Sequence, residues 1–205
     1  MRAFSFFYFF NFYFTNMNRR EALNRVAWLM GGAVIGANLF LEGCTKKASK
    51  EVESLFEPDR IDFLGDIAET ILPQTKTPGA KEAGVGEFIP IMVRDCYTEA
   101  DQKVFMEGLI DVDERAKKDF DAPFQELTAE QRTALLNTLD KESKEYNANK
   151  KEEEPKHYFS MIKELTLLGF FTSEQGATIA MRYVLIPGKY DGNVPYKKGD
   201  KAWAT

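Results

Sequence analysis

Residues Leu165–Asp191 read LTLLGFFTSEQGATIAMRYVLIPGKYD. Leu165 and Leu168 continue an inward stripe that begins at Tyr158 and Ile162, and Phe170 and Phe171 end that helix. Ser173 stands where an N-cap oxygen is needed, and Ala177, Ala180, Met181, Val184 and Leu185 share one face of a following helix. Pro187 and Gly188 close it. This stretch is therefore predicted to be a helical hairpin with its aromatic residues in a core, and it sets the class as all-α.

The same period extends upstream. Lys156–Gly169 is predicted helical, preceded by a charged loop over Asn147–Lys156. Thr128 and Gln131 make a capping box for a helix through Leu135, Leu136 and Leu139 toward Tyr146. Phe105, Leu109, Val112, Ala116 and Phe120 form one stripe of a helix over Thr98–Phe120, with Thr98 as its cap. Ala80–Cys96 reads as a broken helix, interrupted by Gly84, Gly86 and Pro90. Ile61, Leu64, Ala68, Ile71 and Leu72 mark a helix that stops at Pro73, and Gln74–Gly79 is a turn-rich loop. No alternating strand pattern competes. The expectation is a single compact helical domain of about six helices over residues 58–205, with an irregular tail from Pro187 to Thr205.

Composition narrows the chemistry. The chain has 205 residues and a formal net charge of −5, with two cysteines (Cys44 and Cys96) and one histidine, His157. That is too few for Cys₂His₂ or Cys₄ zinc sites, a CxxCH haem attachment or an iron–sulfur ligand set. The acidic balance argues against nucleic acid as a partner. Gly84-x-Gly86 follows no strand and lacks the third glycine of a dinucleotide fingerprint. Asp111/Asp113 and Glu152–Glu154 read as solvated faces. His157 reads as a structural or surface residue and Cys96 as a small buried hydrophobe. No catalytic, cofactor-binding or metal-ligating residue is expected.

The N-terminal part reads as an address. Nine of the 27 aromatic residues fall within residues 1–16, a run no single core can use. Translation is expected to start at Met17, making residues 1–16 a non-native upstream extension. Arg19 and Arg20, with Leu23 three places on, resemble a twin-arginine export signal, although Ala22 stands where an aromatic is usual. Val26–Leu41 has no charge, a moderately apolar core of a signal over residues 17–43. Leu41-Glu42-Gly43-Cys44 resembles a lipobox with Cys44 as the lipidated residue, though Glu42 departs from it. An uncleaved membrane anchor is the alternative, since sixteen residues of helix span roughly 24 Å, a little short of a bilayer core. Residues 44–57 read as a polar tether. From Cys44 onward the chain holds 23 basic and 30 acidic side chains, a net charge of −7.

Two sets of motifs resemble a known family. Gly-Phe-Phe-Thr-Ser-Glu-x-Gly at 169–176, Tyr183 and Pro187-Gly188-x-Tyr190-x-Gly192 form one set. Ala68-Glu69-Thr70-Ile71-Leu72-Pro73, Thr77-Pro78-Gly79-Ala80 and Ala83-Gly84-Val85 form the other. Together they resemble the gluconate 2-dehydrogenase subunit 3 family, over about residues 59–203. The resemblance implies an accessory, non-catalytic small subunit of a membrane-associated sugar or sugar-acid dehydrogenase. It implies no cofactor in this chain and FAD in a large partner subunit of the glucose–methanol–choline type, often with a cytochrome c as electron acceptor. It also implies help in maturation and twin-arginine export of that flavoprotein, and a place on the periplasmic side of the cell envelope, held by the Cys44 lipid. Tyr183, Tyr190, Tyr196 and Trp203 are the expected aromatic anchors of the partner interface, with a core position as the alternative for Tyr183. A free-standing lipoprotein binding module without a redox partner is the second reading.

Overall fold

The computed structural model describes residues 50–186, 188 and 192–204. The expectations for Arg19, Arg20, Cys44 and Tyr190 lie outside the described residues. The described chain is all-helical: α1 (Lys50–Glu53), a 3-10 turn (Ser54–Phe56), α2 (Pro58–Ile71), α3 (Val85–Cys96), α4 (Glu99–Phe120), a second 3-10 turn (Phe124–Glu126), α5 (Ala129–Asn149), α6 (Tyr158–Thr172) and a π-helical turn (Gly176–Ala180).

Local chemistry sets most boundaries. Pro58 starts α2, where its missing N–H costs nothing. The Thr98 hydroxyl accepts from the Asp101 N–H at 3.2 Å to begin α4. Thr128 and Gln131 complete the expected capping box, at 3.3 and 2.9 Å. The start of α6 is capped by an imidazole: His157 Nδ1 accepts from the Phe159 N–H at 3.2 Å. Helix α5 ends at Asn149, three residues past Tyr146, and α6 starts at Tyr158 and ends at Thr172, three residues past Gly169.

Helix α6 is the centre of the fold. It touches α2, α3, α4 and α5, and buries Phe159, Met161, Ile162, Leu165 and Phe170. A helix surrounded this way must be apolar on more than one face, which is what its sequence shows. Around it Leu64 and Ile67 of α2, Ile89 and Val93 of α3, Phe105 and Leu109 of α4, and Leu139 of α5 are fully buried. Each such side chain contributes about 1.5–3 kcal/mol through the area it removes from water.

Four expectations are corrected. The break in Ala80–Cys96 comes only at Gly84, whose φ of 74° ends the preceding turn, and α3 then runs unbroken through Gly86 and Pro90. Gly86 serves packing: a Cβ there would lie 2.6 Å from the Ile61 carbonyl oxygen of α2. Residues 50–56 are not tether, because α1 and its 3-10 turn place Val52 and Leu55 in the core. The predicted helix after Ser173 stops at Ala180, so Val184 and Leu185 lie outside it. The tail is not wholly irregular either, since Arg182 and Trp203 form a parallel bridge.

Candidate docking surface

The residues that form the N-terminal motif are used to build a loop. Glu69, at the end of α2, accepts from the Gln74 N–H with Oε1 (2.7 Å) and from the Lys81 N–H with Oε2 (2.9 Å). The Ala80 N–H reaches back to the Leu72 carbonyl at 2.9 Å. Gly79 leaves room for the carboxylate, because a Cβ there would lie 2.2 Å from both Glu69 oxygens. Lys81 then pairs with Asp66 at 2.8 Å and Asp62 at 3.4 Å, and these carboxylates raise its pKa.

The second motif is also architectural. Ser173 Oγ donates to the Phe170 carbonyl (2.7 Å) and accepts from the Gly176 N–H (3.0 Å). Gly176 sits so close to the Phe170 carbonyl that a Cβ would fall 1.8 Å from it. The chain thus turns sharply after α6, and Phe170 is buried while Phe171 remains exposed.

A polar cluster lies between α4, α5 and α6. Arg115 donates to Asp111 (2.7 Å) and to both oxygens of Glu142 (2.9 and 2.8 Å), and Tyr158 donates to Asp111 at 2.5 Å. Burial, followed by the hydrogen bond to Asp111, pushes the Tyr158 hydroxyl well above its ordinary pKa. His157 stacks on Tyr158, with ring centroids 4.4 Å apart, and burial lowers its pKa. Asp113 accepts from the Phe124 N–H at 3.1 Å and from Lys117. Burial opposes its ionisation, yet those bonds hold its carboxyl below the usual range. Asp111 and Asp113 are therefore structural carboxylates and not merely solvated ones. Cys96 corrects its expectation as well: it is the last residue of α3, beyond the buried Val93, and it is exposed.

A groove of about 290 Å³ lies between α2, α5 and α6, with Ile71, Leu136 and Phe159 at its base and the Asp140–Lys163 ion pair (2.6 Å) at its rim. Among the described residues no group of three or more His, Cys, Asp or Glu comes together as a metal set, and no helix is long and apolar enough to cross a membrane.

The distribution of exposed apolar residues singles out the C-terminal part of the chain. Thirteen large hydrophobic residues are exposed among the described ones, and ten of them fall between Leu167 and Trp203. Single exposed hydrophobes are ordinary, but their concentration in this part of the chain makes it the candidate docking surface. Three of the expected anchors are in this segment: Tyr183 is 45% exposed, Tyr196 80% and Trp203 49%. Tyr183 is thus not a core residue. Trp203 is brought against Arg182, whose guanidinium sits 3.8 Å over its ring. Leu185 (76%) and Ile186 (78%) are as open as Tyr196. The sequence places Leu185 on one helical face with Ala177, Ala180, Met181 and Val184, and carries no pattern that links Arg182 to a tryptophan twenty-one positions away.

A family model described as gluconate 2-dehydrogenase subunit 3 matches residues 58–188. No curated protein and no solved structure matches the chain. The match takes in α2 to α6, the π-helical turn and both loop motifs, and so covers well over half of the chain. The chain belongs to the gluconate 2-dehydrogenase subunit 3 family.

Proposed function

We propose that this chain is a non-catalytic small subunit that docks a flavin-dependent dehydrogenase through its exposed C-terminal segment. The family name supports a complex with a catalytic subunit. The observation that carries the reading is the crowding of exposed apolar residues between Leu167 and Trp203. The motif residues supply no competing role, because Glu69, Gly79, Ser173 and Gly176 are engaged in shaping loops.

In this reading the partner is a flavoprotein of the glucose–methanol–choline type that carries FAD, and a cytochrome c takes its electrons. The small subunit supports maturation of the flavoprotein. A flavoprotein folds around its cofactor before export, so a partner without its own signal needs a carrier, and Arg19 and Arg20 supply a twin-arginine address. Cys44, once lipidated, tethers the complex on the periplasmic side of the cell envelope.

Co-expression tests each part. With this chain present, the flavoprotein is expected to be recovered in the envelope fraction with bound flavin. Arg19→Lys with Arg20→Lys should leave both subunits in the cytoplasm, and Cys44→Ala should release the complex from the membrane fraction. A flavoprotein that matures, exports and localises equally well without this chain would end the proposal.

A further inference from the structure

The segment after Ala180 differs in charge from the helices it follows. Residues 58–180 hold 15 basic and 25 acidic side chains, a net charge of −10, whereas residues 181–205 hold five basic and two acidic, a net charge of +3. The most exposed apolar side chains of the described chain, Leu185, Ile186 and Tyr196, lie in this basic segment, and Lys197 and Lys198 follow Tyr196 directly.

The two ends of the segment are closed on each other. The Arg182 N–H donates to the Ala202 carbonyl at 2.8 Å, and the Ala204 N–H donates to the Arg182 carbonyl at 3.1 Å. The Arg182 guanidinium covers the Trp203 ring. Lys201 Nζ donates to the Ile179 carbonyl, at the C-terminal end of the π-helical turn, where a cation is favoured. The approach to this closure is itself a turn: the Lys197 N–H donates to Asp200 Oδ2 (3.1 Å), the Asp200 N–H donates to the Lys197 carbonyl (3.0 Å), and Gly199 takes a φ of 96°. Backbone, ring and ammonium contacts therefore act at the same place.

We propose that Arg182, Lys201 and Trp203 form a latch that presets this segment, so that Leu185, Ile186, Tyr196, Lys197 and Lys198 meet an apolar patch with an acidic rim on the catalytic subunit. The proposal rests on the docking role given above and names the chemistry of the partner surface. An open chain of this length would lose its freedom on binding. A chain already closed at its ends loses less, so the latch raises affinity without touching the partner. The lysines add attraction that weakens with salt. Trp203 thereby changes role, from an interface anchor to a positioning residue with one face covered by Arg182.

The full chain is co-expressed with the flavoprotein subunit of the same organism, and affinity is measured at low and at physiological salt. Trp203→Ala and Arg182→Ala are each expected to weaken the complex about tenfold, with Trp203→Phe retaining most of the affinity. Lys197→Glu with Lys198→Glu should weaken it further and flatten the salt dependence. Unchanged thermal melting of each variant excludes a folding defect. In the free protein the Arg182 and Ala204 amides should exchange slowly with solvent. Exchange at the unstructured rate would overturn the latch. Wild-type affinity in all the variants would also overturn it while leaving the docking role intact. Failure of the wild-type chain to bind the flavoprotein would overturn both. Vesicles of phosphatidylglycerol and phosphatidylcholine in equal parts form the last arm: if the lysine variant loses vesicle binding but keeps the flavoprotein, the occupant is a lipid surface and the proposal is overturned.

Discussion

The two ends of the described chain treat apolar residues in opposite ways. At the N-terminal end, KEVESLF carries only three large apolar residues among charged and polar ones, yet Val52 and Leu55 are entirely buried. At the C-terminal end, Tyr183-Val184-Leu185-Ile186 is a continuous apolar run, yet Leu185 and Ile186 are more than three-quarters exposed. Local hydrophobicity therefore ranks these segments the wrong way round. What decides burial is whether a face is open to receive the residue. α1 and its 3-10 turn lie against α2, α3 and α4, whereas helical structure ends at Ala180 and leaves Leu185 and Ile186 without a covering face. An apolar run that a fold leaves exposed to solvent is where the proposed partner would dock.

The largest expected effect separates these ends directly. Leu55→Ala removes a fully buried side chain and should cost about 2–5 kcal/mol, the range for large-to-small changes in a core. It should read as a clear drop in the urea midpoint with an unchanged slope. A midpoint within error of wild type would mean that α1 is not part of the folded unit and that the tether does reach residue 57.

Glu69→Ala comes next. It frees two backbone N–H groups, those of Gln74 and Lys81, and undoes the reason for Gly79. A cost of about 1–3 kcal/mol is expected, less where water reaches the loop. Faster amide exchange should be confined to residues 72–81. Glu69→Gln tests the geometry more finely, because its one carbonyl oxygen can serve only one of the two donors at full strength.

These cases also show what was legible in the sequence. Helix positions followed from period and capping: Thr98 and Thr128 both cap helices, and the stripe of Phe105, Leu109, Val112 and Ala116 is buried. Such features depend on residues close together in the chain. The end of the last helix was missed because Ala177, Ala180, Val184 and Leu185 have a helical period, but the turn at Gly176 commits the backbone to a wider π-helical coil that ends at Ala180. Gly86 was misjudged as a break because its role depends on Ile61, on another helix. Tyr183, Tyr196 and Trp203 are exposed, as residues of a surface segment should be. The contact of Arg182 with Trp203 depends on a long-range closure that carries no local signal.

A smaller effect is expected from the single histidine. His157 Nδ1 acts as the N-cap acceptor of α6, so protonation removes the cap and puts a cation at the positive end of a helix dipole. Arg115 opposes that charge as well, while Glu142 and Asp111 favour it, and burial is the largest influence. The folded-state pKa is thus depressed below the unfolded value of about 6.5. For a depressed histidine the unfolded state binds more protons in that window. The contribution is then fully present above pH 6.5 and is lost as pH falls toward the folded value. Urea midpoints should therefore fall on acidification below about pH 6.5, before carboxylates titrate. His157→Asn keeps a capping oxygen and should flatten that decline. An unaltered slope in the variant would assign the decline to other groups.

The smallest effect on stability should come from the exposed run. Leu185→Ser and Ile186→Ser remove apolar area that is already in water, so each should shift stability by less than about 0.5 kcal/mol. In the complex the same two changes are expected to weaken capture of the flavoprotein about tenfold or more, since burying each aliphatic side chain there removes its apolar area from water. This pair of readouts completes the contrast with Leu55, where stability falls and the docking surface is untouched. If the two serine variants lower stability and leave capture unchanged, the run is part of the fold and not a docking surface. If they change neither, the exposed surface has no partner, and the crowding of apolar residues near the C-terminus loses its functional meaning.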